Sequence, residues 1–529
     1  MKLPRPEPKR VLLAGLSAVG MVLSCPNYDQ FWLGFVMWIP YFAAIEGLSA
    51  RRAFRYGWLV GIITVFWGFF WMSQLLVKFA DFSVPAATPV TFLFALWHGL
   101  LWGLSALVIT KLRARVDWPL WIVAPAVWVG VEATLPNIFP IYMAHAWCWQ
   151  PLLIQTADLG GVTMVSGIMV ATNAALYTLL RARLDAKPIA RRDVIAAVTL
   201  LVGNPIYGAL RLAQLHAAID DAPTVRFGVV QGNMSIRQMA HPEWRRWVLD
   251  NEQQMTAALE AQGAEVALWG ETAYPNPRAF TRDRTTDLPP DHPWRVKRGF
   301  DIPIIFGAVT RESQGGSPYP YNSAILLDRA GTVAGRYDKV YRLMFGEYAP
   351  LVSPEWYLKQ VPSASHIAQG AGPGVLPLGP WRLGPFVCYE DILPRYVRET
   401  AAQEVNAFVN LTNDAWFGKT EEPGQHLGLA VFRAVEHRKP MVRAVNTGVS
   451  VYIDPTGAAH HRTEVTDPDI DGPQPPDGFV VDVPMMDPQH RTIYGYTGEL
   501  FDAICVGLVV FMWTRRRRDA GTAAAAAVG

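Results

Sequence analysis

The feature that most constrains this chain is a series of apolar segments whose connections are alternately rich and poor in basic residues. The segments run from about Val11 to Ser24, Phe31 to Gly47, Tyr56 to Val77, Val90 to Thr110, Trp118 to Leu135, Gly160 to Leu180 and Val194 to Leu212, with an isolated one from Leu500 to Thr514. The first and last are short for a membrane-crossing helix, which needs about 20 apolar residues. The charges argue for crossing all the same. Lys2, Arg5, Lys9 and Arg10 precede the first segment, Arg51, Arg52 and Arg55 separate the second and third, and Lys111, Arg113 and Arg115 separate the fourth and fifth. Arg181, Arg183, Lys187, Arg191 and Arg192 separate the sixth and seventh, and Arg515 to Arg518 follow the eighth. The alternate connections, Cys25 to Gln30, Lys78 to Thr88 and Pro136 to Leu159, hold almost no Lys or Arg. Core helices of a soluble protein have no reason to show this alternation. It predicts eight membrane spans with both termini in the cytoplasm.

Composition narrows the function classes. Of the 529 residues 51% are hydrophobic and only 17% charged, and 47 Lys and Arg nearly cancel 45 Asp and Glu, so nucleic acid is not an expected partner. Four scattered cysteines, Cys25, Cys148, Cys388 and Cys505, form neither a disulfide framework nor a thiolate metal site. Cys25 follows a basic start and an apolar run, but Ser24 and Pro26 flank it without the small-residue context of a cleavage site, so the first segment reads as an uncleaved span. Asp29, Lys78, Asp81, Glu132 and His145 lie toward the non-cytoplasmic side and form no intramembrane relay of the kind an ion pump needs. There are many indoles, among them Trp32, Trp38, Trp67, Trp97, Trp102, Trp128 and Trp147, several of them near segment ends; they read either as interfacial anchors or as the lining of a lipid entrance.

Between the seventh and eighth segments lie residues 213–499, placed outside the cytoplasm by an odd number of spans. Short apolar strands are predicted at Val225 to Val230, Val266 to Trp269, Pro303 to Val309, Asn322 to Leu327, Leu383 to Val387, Val405 to Leu411 and Gly478 to Val483. A hairpin is predicted from Met441 to Asn446 and Val449 to Ile453, and helices from His241 to Glu260 and from about Gly424 to Arg438. Strands alternating with helices predict a layered α/β sheet whose strand ends carry the chemistry.

Three polar groups stand at or near such ends: Glu271 in Trp269-Gly-Glu-Thr272, Lys339 in Arg336-Tyr-Asp-Lys-Val340, and Cys388 in Gly384-Pro-Phe-Val-Cys-Tyr-Glu390. A thiol attacks an acyl carbon, a carboxylate takes its proton, and an ammonium stabilises the oxyanion. Taken singly, Cys388 reads equally as a buried apolar thiol, and Glu271 and Lys339 as solvated surface groups.

The wider motifs decide among these readings. Gly270-Glu271-Thr272, Asp338-Lys339-Val340 with Phe345-Gly-Glu-Tyr348, Cys388-Tyr-Glu390, Asn413-Asp-Ala-Trp-Phe-Gly418 and Arg443-Ala-Val-Asn-Thr-Gly448 resemble those of the apolipoprotein N-acyltransferases of bacterial inner membranes, a branch of the nitrilase-like carbon–nitrogen hydrolase superfamily. The resemblance covers essentially the whole chain. It implies a seven-span helical domain over residues 1–212, an external nitrilase-like α-β-β-α sandwich over 213–499, a final span at 500–514, and a basic, Ala-rich cytoplasmic tail at 515–529, whose featureless composition from Ala520 itself predicts disorder. It further implies Cys388 as nucleophile, Glu271 as general base and acid, Lys339 as oxyanion stabiliser, essential support from Glu347 and Glu390, and Tyr389, Trp416 and Phe417 around the mouth. The implied reaction moves an acyl chain from a membrane phospholipid to the terminal amine of a diacylglyceryl-cysteine in an apolipoprotein, by way of a Cys thioester. No metal or diffusible cofactor is called for, a monomer is expected, and the site faces the periplasm.

Two local expectations follow. In an extended chain Glu390 shares the side of Cys388 while Tyr389 points elsewhere. Val445, where the family commonly has Thr, puts one local hydrogen bond in question. A membrane-tethered amidase for small amides is the alternative enzyme, and a transporter or receptor with an inert external domain is the non-enzyme alternative.

Overall fold

The computed structural model describes residues 7–276, 278–313, 316–361 and 364–515. Arg516 to Arg518 and the Ala-rich tail lie outside the described residues, as do Lys2 and Arg5. The chain divides into two compact units, one of helices (1–70, 88–210 and 497–529) and one containing both sheets (71–87 and 211–496).

In the helical unit the expected apolar segments fall on helices. Among the described residues three, Val84–Arg113, Ala157–Leu184 and Arg191–Asp220, are long and apolar enough to cross a membrane. Phe31–Ile45, Leu120–Thr134 and Leu500–Thr514 are shorter apolar helices, and Pro8–Ser24 has 17 residues. The segment expected as one span from Tyr56 to Val77 is instead broken. Helix Ala50–Gly68 ends, and helix Trp71–Ala80 departs from it at 52°. Glycine makes the tightest helix contact possible: a Cβ on Gly57 would lie 2.6 Å from the Trp102 carbonyl oxygen, and one on Gly61 2.5 Å from that of Gly99. This four-residue spacing of glycines lets two backbones meet. The indoles are only partly interfacial in character. Trp38, Trp102, Trp128 and Trp147 are fully buried, with ring centroids 4.5 Å apart for Trp38–Trp128 and 5.3 Å for Trp102–Trp128, so these four pack the interior rather than anchor it. Trp32, Trp67 and Trp97 remain exposed.

Among the described residues the other unit contains twelve strands: β1 (Thr224–Gln231), β2 (Val266–Trp269), β3 (Ile304–Thr310), β4 (Tyr321–Leu327), β5 (Val333–Asp338), β6 (Leu376–Leu378), β7 (Trp381–Val387), β8 (Ala407–Thr412), β9 (Met441–Val445), β10 (Val451–Ile453), β11 (Ala459–His460) and β12 (Asp477–Pro484). They form two six-stranded sheets, ordered β12-β1-β2-β3-β4-β5 and β11-β10-β9-β8-β7-β6. Each has a parallel centre, β1-β2-β3 in one and β7-β8-β9 in the other, with antiparallel edges. β2, β8 and β9 are buried along their length; β2 reads as an unbroken apolar run, whereas β8 carries Asn410 and β9 carries Arg443. Helix Trp244–Ala261 covers the first sheet, and helices Pro394–Ala401 and Glu422–His437 accompany the second, giving helix, sheet, sheet and helix layers. The expected α/β sandwich is therefore the fold of this unit. β5, β6 and β11 are edge strands that the apolar pattern did not announce.

Candidate active site

The three expected groups all leave the carboxyl ends of strands. β7 runs into a 3₁₀ turn, Cys388–Ile392, and Cys388 takes a left-handed φ of +60°. A non-glycine residue there stores roughly 1–3 kcal/mol of strain, a feature that clusters at reactive positions. What holds the turn is Glu390. Its fully buried carboxylate accepts from the backbone N–H of Val387 (2.8 Å), Val340 (2.7 Å) and Tyr341 (2.9 Å) and from the Tyr337 hydroxyl (2.7 Å). One side chain thus ties the strand end bearing Cys388 to the chain that follows Lys339. Burial raises the Glu390 carboxyl to about 7 against the pull of those donors.

Because residues 388–392 turn rather than extend, the expected alternation of Tyr389 and Glu390 fails. The Tyr389 ring faces Lys339, whose Nζ lies 5.8 Å from the ring centroid, and its hydroxyl donates to the Arg342 carbonyl at 3.0 Å. Glu390 is the residue directed into the scaffold.

Glu271 follows β2 by way of Gly270, and its backbone N–H reaches the Thr412 carbonyl of the other sheet at 3.4 Å. The approach of β3 is so close that a Cβ on Gly307 would lie 2.4 Å from the Gly270 oxygen. Lys339 follows β5, fixed by its N–H to the Asn322 carbonyl at 2.8 Å. Its buried Nζ lies 2.8 Å from Glu347 Oε1 and 3.4 Å from Glu271 Oε1, while Asn322 Nδ2 donates to that same Glu271 oxygen at 2.7 Å. Glu347 also accepts from the Leu343 N–H at 2.7 Å, closing the loop that carries it.

Electrostatics connect this cluster to Cys388. Burial and then the Glu271 carboxylate push the thiol well above its ordinary range, with Lys339 opposing. Burial raises Glu271 too, offset by Lys339 and reinforced by Glu347. Burial would lower Lys339, but Cys388, Glu271 and Glu347 together raise it well above its usual value. The resting site holds a firm ammonium, a neutral thiol and a carboxylate of enhanced basicity.

Trp416 and Phe417 are half-buried and packed against helix Trp71–Ala80: Phe79–Trp416 centroids are 5.1 Å apart and Trp71–Phe417 5.5 Å. Lys78 pairs with Asp467 at 2.6 Å, and Trp71 Nε1 donates to Gln425 Oε1 at 3.0 Å. These contacts place residues 71–87 in the same unit as the sheets. At Val445 the backbone N–H donates to Ser450 Oγ at 2.9 Å, and that hydroxyl lies 2.9 Å from Gln231 Oε1 and 3.1 Å from the Val445 carbonyl.

Sequence reasoning missed several supporting residues. Asn322 was read only as the start of a strand, and Asn446, which donates to Asn413 Oδ1 (3.0 Å) and to the Met234 carbonyl (2.7 Å), only as part of a motif. A buried group behind the Cys388 turn was read only in part: Asp414 and Arg443 stood within motifs, while Asp391, Glu422 and His426 went unread. His426 Nε2 lies 3.0 Å from Asp391 Oδ1, and its Nδ1 lies 3.6 Å from Asp414 and 3.7 Å from Glu422, with Arg443 3.0 Å from Asp391. Asp414, Glu422 and His426 are the group among the described residues whose donor atoms come close enough to hold a metal ion. Burial and Arg443 oppose protonation of His426, but Asp391 and Asp414 carry its pKa up to about 10.

Residues 17–175 match the family described as the apolipoprotein N-acyltransferase N-terminal domain, and residues 234–464 match the carbon–nitrogen hydrolases. The apolipoprotein N-acyltransferase of Rhizobium rhizogenes is 31% identical over 495 residues, covering 85% of this chain and 86% of that protein. The one from Geobacter metallireducens is 29% identical over 457 residues, covering 84% and 85%. Among solved structures, an amidase from Nesterenkonia sp. is 21% identical, covers 50% of this chain and 93% of its own, and has a TM-score of 0.34.

Proposed function

The chain belongs to the apolipoprotein N-acyltransferase family, and we propose that Cys388, Glu271 and Lys339 carry its acyl transfer from a membrane phospholipid to the amino terminus of a diacylglyceryl-cysteine. The observation that carries this assignment is the Lys339 ammonium, held at 2.8 Å from Glu347 and 3.4 Å from Glu271 in the cluster that senses the Cys388 thiol.

A neutral thiol beside a basic carboxylate calls for proton removal during attack, not a preformed thiolate. Glu271 takes the Cys388 proton as sulfur bonds to the ester carbonyl carbon, and the oxyanion is met by Lys339 N–H. Collapse breaks the bond from the acyl carbon to the glycerol oxygen, Glu271 protonates that oxygen, and lysophospholipid leaves a thioester on Cys388. The acceptor amine then attacks, gives its proton to Glu271, and displaces the sulfur, which recovers the proton. Glu347 and Glu390 act as positioning residues; Tyr389, Trp416 and Phe417 form the apolar mouth.

Both substrates are anchored by acyl chains whose removal from a bilayer costs about 0.8 kcal/mol per CH₂. This supports a protein of the bacterial inner membrane, and we propose seven spans within residues 1–212, a periplasmic catalytic domain over 213–499 joined by residues 71–87, a last span at 500–514 and a cytoplasmic tail, the protein working as a monomer. The alternation of basic connections is what supports that orientation.

The test is intact-mass measurement after the purified protein meets phospholipid without acceptor, then peptide mapping. A fatty-acyl adduct on Cys388 that disappears on adding a diacylated cysteine peptide is the expected result. An adduct that never transfers would replace this reading with an amidase or lipase-like activity, and hydrolysis of a small amide without any lipid-derived adduct would replace it with an amidase.

A further inference from the structure

The buried polar group behind the Cys388 turn is not used by the acyl transfer. Its members come from four places: Asp391 in the turn itself, Asp414 shortly before Trp416, Glu422 and His426 at the start of helix Glu422–His437, and Arg443 on β9. Asp414, Glu422 and His426 are each only 2% exposed.

Half of the group is an ordinary ion-pair network. Arg443 Nε lies 3.0 Å from Asp391 Oδ2, and Asp391 Oδ1 accepts from His426 Nε2 at 3.0 Å, the carboxylate having no proton to give. The other two carboxylates are not accounted for in this way. An acid in the first turn of a helix is favoured by the helix dipole, which would explain Glu422 at the surface. Here it is turned inward beside Asp414 instead. Asp414 Oδ1 and Glu422 Oε2 are buried and accept no hydrogen bond among the described residues. His426 Nδ1 faces this pair, 3.6 Å from Asp414 Oδ1 and 3.7 Å from Glu422 Oε1, which is too far for a hydrogen bond. Two neighbouring buried carboxylates, each with an oxygen unmet, are costly unless something positive stands between them.

The separations fit a shared ion. The donor atoms of Asp414, Glu422 and His426 all lie within 4.8 Å of one another. Ligands about 2.0–2.2 Å from a tetrahedral cation stand about 3.3–3.6 Å apart, close to the two distances from His426 Nδ1. The far side of the ring is prepared as well. An imidazole that binds a metal through one nitrogen donates from the other to a carboxylate or carbonyl, which fixes its tautomer and its orientation. Asp391, itself held by Arg443, does this for His426.

We propose that Asp414, Glu422 and His426 bind one divalent transition cation of the zinc class, through a carboxylate oxygen of each acid and Nδ1 of the imidazole. One imidazole with two carboxylates suits Zn²⁺, whereas Ca²⁺ and Mg²⁺ take oxygen donors. With the cation bound, Nδ1 is a ligand and carries no proton; a protonated His426 belongs to the metal-free protein. The ion ties the loop bearing Trp416 and Phe417 to the helix that starts at Glu422, and by way of Asp391 to the turn bearing Cys388. Its role is structural.

The test uses the full-length, tag-free protein in nonionic detergent, stripped with EDTA and returned to chelator-free buffer, with Zn²⁺ alone as the probe. After loading and gel filtration, elemental analysis should find one zinc per wild-type chain, an equivalent that Glu422→Gln and His426→Gln both lose. Zn²⁺ should raise the melting temperature of the wild type and leave that of either variant unchanged. If neither variant shows a cooperative melting transition, zinc-edge X-ray absorption of the wild type decides: a single imidazole with oxygen donors near about 2.0 Å is the expected first shell. Sulfur or a second imidazole in that shell places the ion elsewhere and overturns the proposal. So does a wild type that retains no zinc, or retention that a folded variant leaves unchanged. None of these outcomes depends on Cys388 being the nucleophile.

Discussion

Lys339 Nζ lies closer to Glu347 Oε1, at 2.8 Å, than to Glu271 Oε1, at 3.4 Å. The carboxylate proposed to anchor the ammonium is therefore a different one from the carboxylate proposed to move protons. Glu347 also raises the Glu271 carboxyl through its charge. Glu347→Gln keeps the side-chain shape while removing that charge, so the Glu271 pKa should fall. A base must be ionised to act, so the rate of Cys388 acylation rises with pH through the Glu271 pKa. In Glu347→Gln this acid limb should move to lower pH, with a lower plateau because Lys339 is less firmly placed. A pH–rate profile of adduct formation checks it, and a limb displaced to higher pH would refute the proposed coupling.

Glu390 makes a separate prediction because it touches backbone rather than reactants. A Gln at this position offers one acceptor oxygen where the carboxylate meets four donors. Each buried donor left unmet costs about 1–3 kcal/mol. Glu390→Gln should lower the melting temperature and slow acylation at saturating phospholipid, with half-saturation little changed. If adduct formation proceeds at the wild-type rate, the tie between the Cys388 turn and the Lys339 segment has no catalytic consequence.

These two carboxylates show what a sequence discloses and what it withholds. β2 and β7 are legible because buried central strands are unbroken apolar runs that stop at a polar residue, Gly270-Glu271 in one case and Cys388 in the other. β5, Val-Ala-Gly-Arg-Tyr-Asp, is a half-exposed edge with no such signature, so Lys339 was found through its motif and not through its strand. The direction of Glu390 depended on a turn that alternation cannot foresee. The break after Gly68 lies within a continuous apolar run, and the partner of Trp71 there, Gln425, is 354 residues away. The same holds for His426 and Asp391, 35 residues apart and joined only by the fold.

The His426 cluster predicts a specific pH dependence of stability. An unfolded histidine titrates near 6.5, whereas in the fold Asp391 and Asp414 hold His426 up to about 10. A folded pKa above the unfolded one gives stability that is fully present below about pH 6.5 and is lost as pH rises through about 10. The difference in melting temperature between wild type and His426→Gln should accordingly be widest near pH 6 and shrink toward pH 10. A difference that grows with pH would mean His426 is neutral in the fold.

The last prediction separates the two half-reactions. The other cysteines, Cys25, Cys148 and Cys505, belong to the helical unit, so Cys388→Ala should abolish adduct formation altogether. Lys339→Ala keeps the thiol but removes an oxyanion donor, a deletion that costs about 3–4 kcal/mol in comparable sites, or roughly 100- to 1000-fold in rate. It also leaves Glu271 and Glu347 facing each other without the ammonium between them, so part of the loss comes from a carboxylate held protonated. Glu271→Gln retains volume and the neighbourhood of Asn322 but cannot take a proton, so both thiol acylation and amine attack should slow. Rapid mixing of each variant with labelled phospholipid, followed by a diacylated cysteine peptide, reads the two steps in turn. Equal slowing of both steps in Glu271→Gln is the outcome that a single base serving thiol and amine requires; a variant slow in acylation yet normal in transfer would assign the amine proton to another group.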